Sequence, residues 1–188
     1  MNDRHLYFLP FLPTLIVCVV FGSVGTVVYA QNSDAFDHPY LESIFQSNKG
    51  GLLRGVEINF TKQKVEARET AQFLKDSYNS ITYEILFDEL SMNFADVEYV
   101  FDSEDRLLKI HLDVYLETDS VTDILLNKLK QKFENEYGRS RIDENGYLFW
   151  QHIGAYSGSD ERYRSLDIGL KKYAFEDDFG LLVEITGF

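Results

Sequence analysis

The chain has 188 residues, a formal net charge of -13 and a single cysteine, Cys18. An acidic excess of this size argues against nucleic acid and anionic membrane surfaces as partners, because both attract basic proteins. Cys18 lies in an apolar N-terminal segment, so the remainder of the chain has no disulfide, thiolate metal site or cysteine nucleophile.

In chain order, "MNDRH" is followed by an uncharged run from Leu6 to Ala30 that closes on Val28-Tyr29-Ala30. A short polar start, an apolar stretch and small or medium residues before Gln31 predict a secretory signal over 1–30. The run is long enough to cross a bilayer, so an uncleaved inner-membrane anchor is the alternative. A lipoprotein signal would use Cys18, but Val17 stands where such signals favour Gly, Ala or Ser. Either reading places the remainder outside the cytoplasm, and a cysteine-free domain of this size fits a bacterial periplasmic or secreted protein. Asp3 and Arg4 cancel, so residues 31–188 keep the charge of -13.

Residues 31–54 read as a polar lead-in with a short helical turn around Tyr40 to Phe45. "GVEINF" (55–60) alternates like a strand and ends at Thr61, an N-cap residue, before a charged helix from Lys62 to about Ser77. Three strands follow at 81–90, 95–101 and 108–116, with Leu108, Ile110, Leu112, Val114 and Leu116 on one face of the last. "DSVTDILLNKLKQKFENEYG" is the clearest helix. It has a capping box at Ser120 and Asp123, a stripe of Val121, Ile124, Leu125, Leu129, Phe133 and Tyr137, and Gly138 as its stop. Strands are expected again at 146–153, 165–175 and 180–188, with a long loop at 154–165. The fold class is therefore α+β. Residues 55–188 form two similar halves, 55–117 and 118–188, each a helix followed by three antiparallel strands, with the helices packed on the sheet.

"YVFDSEDRLL" (99–108) and "YAFEDDFGLL" (173–182) support the repeat and place acids at two matching hairpin tips. Their buried faces are offset by one residue, so either Phe179-Gly180 forms a bulge or the match is partly chance. Asp102, Glu104 and Asp105, like Glu176, Asp177 and Asp178, suit turns. A calcium loop begun at Asp102 fails at Arg106 and Leu107, and one begun at Asp143 fails at Tyr147. His111 shares a strand face with Asp113, yet no Ser or Cys is placed beside it by sequence; His38 and His152 stand alone. "AYSGS" around Ser157 lacks both the spacing and the strand-to-helix setting of a nucleophile elbow. No catalytic, cofactor or metal residue is assigned, and the chain reads as a protein other than an enzyme.

The aromatic content is more telling. Tyr83, Tyr99, Tyr115, Tyr147, Trp150, Tyr156, Tyr163 and Tyr173 exceed what a small core holds, and Tyr and Trp suit protein interfaces. Interleaved with acids, they point to a basic protein partner, and Tyr115, Trp150, Tyr156, Tyr163, Asp113, Asp160 and Glu161 are the candidate contact residues.

"NFTKQKVEARE" (59–69), with "LNKLKQKFENEYG" (126–138) followed by "FW" (149–150), resembles secreted bacterial proteins of the beta-lactamase-inhibitor-protein type and the related small outer-membrane assembly lipoproteins. The chain departs from them in lacking cysteines after residue 30 and a lipobox. The resemblance implies tandem helix-plus-sheet halves and partner binding or inhibition through the sheet face. The expected function is a periplasmic binding protein, such as an inhibitor or an immunity protein against a secreted effector. The alternative is an envelope-assembly or membrane-anchored structural module.

Overall fold

The computed structural model describes residues 38–90, 92–153, 165–175 and 178–188. The signal or anchor expected over 1–30 and most of the loop expected at 154–165 lie outside them.

The lead-in forms helix α1, Pro39–Phe45, as expected around Tyr40. His38 caps it by accepting the Tyr40 N–H on Nδ1, and Pro39 opens it where no backbone N–H is needed. Residues 55–60 are not a strand. Arg54, Gly55 and Asn59 all have positive φ, so the chain turns repeatedly, and its alternation serves only to drop Val56 and Ile58 into the core.

Helix α2, Lys62–Arg68, is capped by Thr61 as expected, but it stops well before Ser77. The reason is Glu69. Its backbone is extended, and its buried carboxylate accepts the N–H groups of Thr70 and Ala71, which turns the chain away from helix. Residues expected to finish the helix form strand β1, Gln72–Asp76, instead. Strands β2 (Ser80–Leu86), β3 (Phe94–Phe101) and β4 (Leu107–Leu116) follow. A register shift at Val100/Phe101 moves the buried position at the start of β4 to Leu107, and Leu108, expected inside, is 41% exposed.

Helix α3, Asp119–Tyr137, is capped by Thr118, which accepts the Val121 N–H, rather than by Ser120. Gly138 ends it as expected, at a positive φ of 85 that suits glycine, but its ψ of -166 is not that of a left-handed helical cap. Its inner face is Leu125, Leu129 and Phe133; Ile124 points outward. Beyond it come β5 (Arg141–Ile142), β6 (Leu148–Ile153), β7 (Ser165–Phe175) and β8 (Asp178–Gly187). Among the described residues each of α2 and α3 is thus followed by four strands, not three.

All eight strands join one antiparallel sheet in the order β1-β2-β3-β4-β8-β7-β6-β5. Helix α3 packs on β4, β6, β7 and β8, and α1 packs on β2 and α3. The core lies between this helical layer and one sheet face, with the Phe133 ring 6.0 Å from Phe45 and 5.3 Å from Trp150.

The two acidic hairpins do not match residue for residue. Tyr99 is fully buried on the helix side, whereas Tyr173 belongs to the opposite face. Phe101 pairs with Leu107, but Phe175 pairs with Asp178. Pairing between β7 and β8 runs without a shift through Phe179 and Gly180, so of the two alternatives the bulge is absent. Asp102 serves its own turn by accepting the N–H groups of Glu104 and Arg106. Glu176 and Asp177 lie outside the described residues.

Candidate binding face

Strand alternation sends every second residue away from the helices, and registry across the strands arranges those residues in rows. One row runs Leu86, Phe94, Tyr115, Gly180, Tyr173 across β2, β3, β4, β8 and β7. The next row runs Glu84, Asp96, Asp113, Leu182, Lys171. Three carboxylates therefore stand side by side on adjacent strands, beside an aromatic and apolar strip. Among the described residues no helix packs over these rows.

Gly180 is what lets the aromatic row close. A Cβ at this position would overlap the Tyr173 ring and the Val114 carbonyl oxygen. The Tyr173 ring lies over the glycine and donates its hydroxyl to Asp113 Oδ1 at 2.7 Å. Tyr115 donates to Asp113 Oδ2 at 3.0 Å, and its ring stacks on Phe94 at 4.6 Å. Asp113 thus anchors two tyrosines. Gly180→Ala is expected to destabilise the fold by about 1–3 kcal/mol through overpacking, read as a lowered urea midpoint at unchanged m-value.

Asp96 is the strained member of the acidic row. Its Oδ1 is buried without a hydrogen-bond partner. Burial, then the charges of Glu84 and Asp113, raise its pKa above 3.8. A raised folded value favours the protonated form, so wild-type stability falls as pH rises from below 3.8 through that value. Asp96→Asn is expected to raise stability at pH 7 by about 0.2–1 kcal/mol, the scale of a like-charge cross-strand pair. The gain should vanish in urea titrations below pH 3.8.

Further along the face, His111 pairs with Glu184 on the neighbouring strand, Nδ1 to Oε1 at 3.3 Å, and not with Asp113. Lys109 also bonds Glu184. Burial alone would raise the Glu184 pKa, but Lys109 and then His111 outweigh it and hold the carboxyl below its ordinary value. Lys109 and His111 thus meet on one carboxylate across the two strands. Among the described residues no three His, Cys, Asp or Glu side chains converge as a metal-binding group.

Of the seven candidate contact residues, Tyr115 and Asp113 lie on this face. Trp150 does not. It is 2% exposed, faces the helices, and donates its indole N–H to the Gly138 carbonyl at 3.0 Å. Tyr156, Tyr163, Asp160 and Glu161 fall outside the described residues. Sequence reasoning missed Glu84, Asp96 and Phe94, although period two from the inward Val97 and Tyr99 puts Asp96 outward. It also missed the β2–β3 loop, where Asp88 accepts the N–H groups of Leu90, Met92 and Asn93. Leu90 and Met92, 80% and 50% exposed, follow the Leu86 end of the aromatic row in the chain.

Comparison of the chain with family models, with curated proteins and with solved structures returns no match.

Proposed function

We propose that this chain is a non-enzymatic protein-binding protein of the bacterial periplasm or cell exterior, which grips a basic partner through the face of the sheet opposite the helices. An inhibitor or immunity protein that neutralises a secreted effector is the form of that activity the reading favours. The observation that carries it is the Glu84, Asp96, Asp113 row beside Leu86, Phe94, Tyr115 and Tyr173. Juxtaposed like charges destabilise an isolated sheet, and a cationic partner removes the repulsion on binding. Aromatic side chains supply buried area at low entropic cost, and acidic charge speeds the encounter with a basic protein.

We also read the domain as two related halves. In support, each of α2 and α3 precedes four strands, and the last strands of the two sets, β4 and β8, meet antiparallel at the centre of the sheet. That order accords with the tandem arrangement implied by the sequence resemblance. Residues 1–30 act as export signal or anchor in this scheme.

The test is capture from the envelope or culture medium of the source organism, using the full chain and a Glu84→Lys/Asp96→Lys variant at low and high salt. A basic protein held by the wild type at low salt, released by salt and missed by the variant is the expected result. Equal capture by both chains would refute the acidic row as the contact.

A further inference from the structure

The β5–β6 hairpin turns through Asp143-Glu144-Asn145-Gly146-Tyr147, and Asn145-Gly146 is the chain's only Asn-Gly pair. Asparagine is a labile residue, and it is lost through the backbone that follows it. The amide nitrogen of the next residue, once deprotonated, attacks the side-chain Cγ. The Cγ–Nδ2 bond breaks, ammonia leaves, and a five-membered succinimide remains. Water then opens either of its carbonyls to give aspartate or isoaspartate, and no oxidant or reductant is consumed.

That chemistry needs an unhindered nitrogen and a side chain free to swing onto it. Gly146 has no Cβ to shield its nitrogen, and the space where one would stand is open. Asn145 and Gly146 are both exposed, and among the described residues nothing holds the Asn145 side-chain amide. The Gly146 N–H donates to the Asp143 carbonyl at 3.1 Å, but this is a turn bond at an exposed tip, where local opening costs little.

The other described asparagines fail one condition or both. Asn93 is 8% exposed, its amide donating to Asp88 and accepting from the Glu117 N–H. Asn127 and Asn135 lie inside α3, where the next N–H belongs to the helical ladder. Asn48 and Asn59 are followed by Lys49 and Phe60, whose N–H groups bond the Gln46 and Glu57 carbonyls. Asn79 is exposed, but Ser80 after it carries a Cβ and is 6% exposed at the start of β2.

We propose that Asn145 is a site of spontaneous modification, at which the folded chain loses ammonia and accumulates isoaspartate and aspartate in the β5–β6 turn. Either product adds a carboxylate beside Asp143 and Glu144. Isoaspartate also adds a methylene to the main chain inside the ring that Asp143 closes on Tyr147. The Asp143 N–H to Tyr147 carbonyl bond at 3.0 Å, and the Tyr147 N–H to Asp143 Oδ1 bond at 2.8 Å, are then strained. Partner binding at the Glu84 row neither requires this conversion nor drives it.

The test is incubation of the full folded chain at pH 7 and pH 9, then digestion, peptide mass spectrometry and labelling of isoaspartate with an isoaspartyl methyltransferase and S-adenosylmethionine. Asn145 should convert at least tenfold faster than Asn48 or Asn79. Conversion should be faster at pH 9, because the attacking nitrogen must lose its proton, and isoaspartate should be the larger product. Asn145→Gln cannot close the five-membered ring and should keep its mass. Gly146→Asp adds a Cβ while tolerating the positive φ of 80, and should slow the loss at Asn145 severalfold. A urea-unfolded sample gives the rate of the unprotected sequence. Conversion in urea but not in the folded chain would show that the turn protects Asn145 and would overturn the proposal. Equal loss at Asn79, or an unchanged rate in Gly146→Asp, would overturn it too.

Discussion

Glu69→Gln is expected to destabilise the fold by about 3–5 kcal/mol, the loss seen when one member of a buried ion pair is removed. Glu69 and Arg54 have side chains 0% and 3% exposed, and the Arg54 Nε meets the two carboxylate oxygens at 2.8 and 2.9 Å. Tyr99, itself fully buried on β3, donates its hydroxyl to Glu69 Oε2 at 2.7 Å. Arg54 reaches on to the Ser43 carbonyl in α1. One carboxylate therefore ties α1, the turn at Arg54, the end of α2 and the centre of the sheet. Glutamine leaves the guanidinium buried and unpaired. Burial alone would raise the Glu69 pKa, but Arg54, Tyr99 and the Ala71 N–H outweigh it and hold it below 4.5.

The sign of the pH effect follows. A lowered folded value means that the stability is fully present above the unfolded pKa and is lost as pH falls through the folded one. Urea midpoints from pH 7 to pH 3 should show the gap between wild type and Glu69→Gln narrowing below about pH 4.5. Arg54→Met with Glu69→Leu and Tyr99→Phe removes the three side chains together and should recover part of the loss, because no charge is left unpaired, although the Thr70 and Ala71 N–H groups and the Ser43 carbonyl lose their side-chain partners. A Glu69→Gln protein as stable as wild type at pH 7 would show that the network contributes nothing to the fold.

Trp150→Ala is expected to cost about 3–5 kcal/mol of stability as well, through a cavity between α3 and the sheet. Trp150 packs against Phe133, and its indole N–H bonds the carbonyl that ends α3. Removing it leaves a void and an unpaired Gly138 carbonyl. Its distance from the open face separates structure from binding: partner affinity measured at a temperature where both proteins are folded should not change. A large loss of affinity without a loss of stability would place Trp150 in the interface after all.

Much of the fold was legible because period two and period 3.6 are local. The strands at 95–101 and 165–175 and the helix stop at Gly138 follow from spacing alone. The failures share a cause, which is that a distant group decided the local outcome. Glu69 ends α2 early because Arg54 and Tyr99 hold its carboxylate inside, and no helical propensity records that. Leu107 rather than Leu108 is buried because the β3–β4 pairing shifts by one residue. The acidic row was hidden for the same reason: Glu84, Asp96 and Asp113 are far apart in sequence and become neighbours only through strand register. Trp150 was placed in a contact surface on residue type, yet its pairing with Ile168 puts it on the core face.

The most direct test of the binding face is carboxyl footprinting of the full chain, alone and in complex with the captured basic partner. Glu84, Asp96 and Asp113 should lose reactivity toward carbodiimide-driven labelling in the complex, while Asp102, Glu104 and Asp105 at the exposed β3–β4 turn label as before. Unchanged labelling of the three-acid row, with protection appearing elsewhere on the chain, would contradict the account.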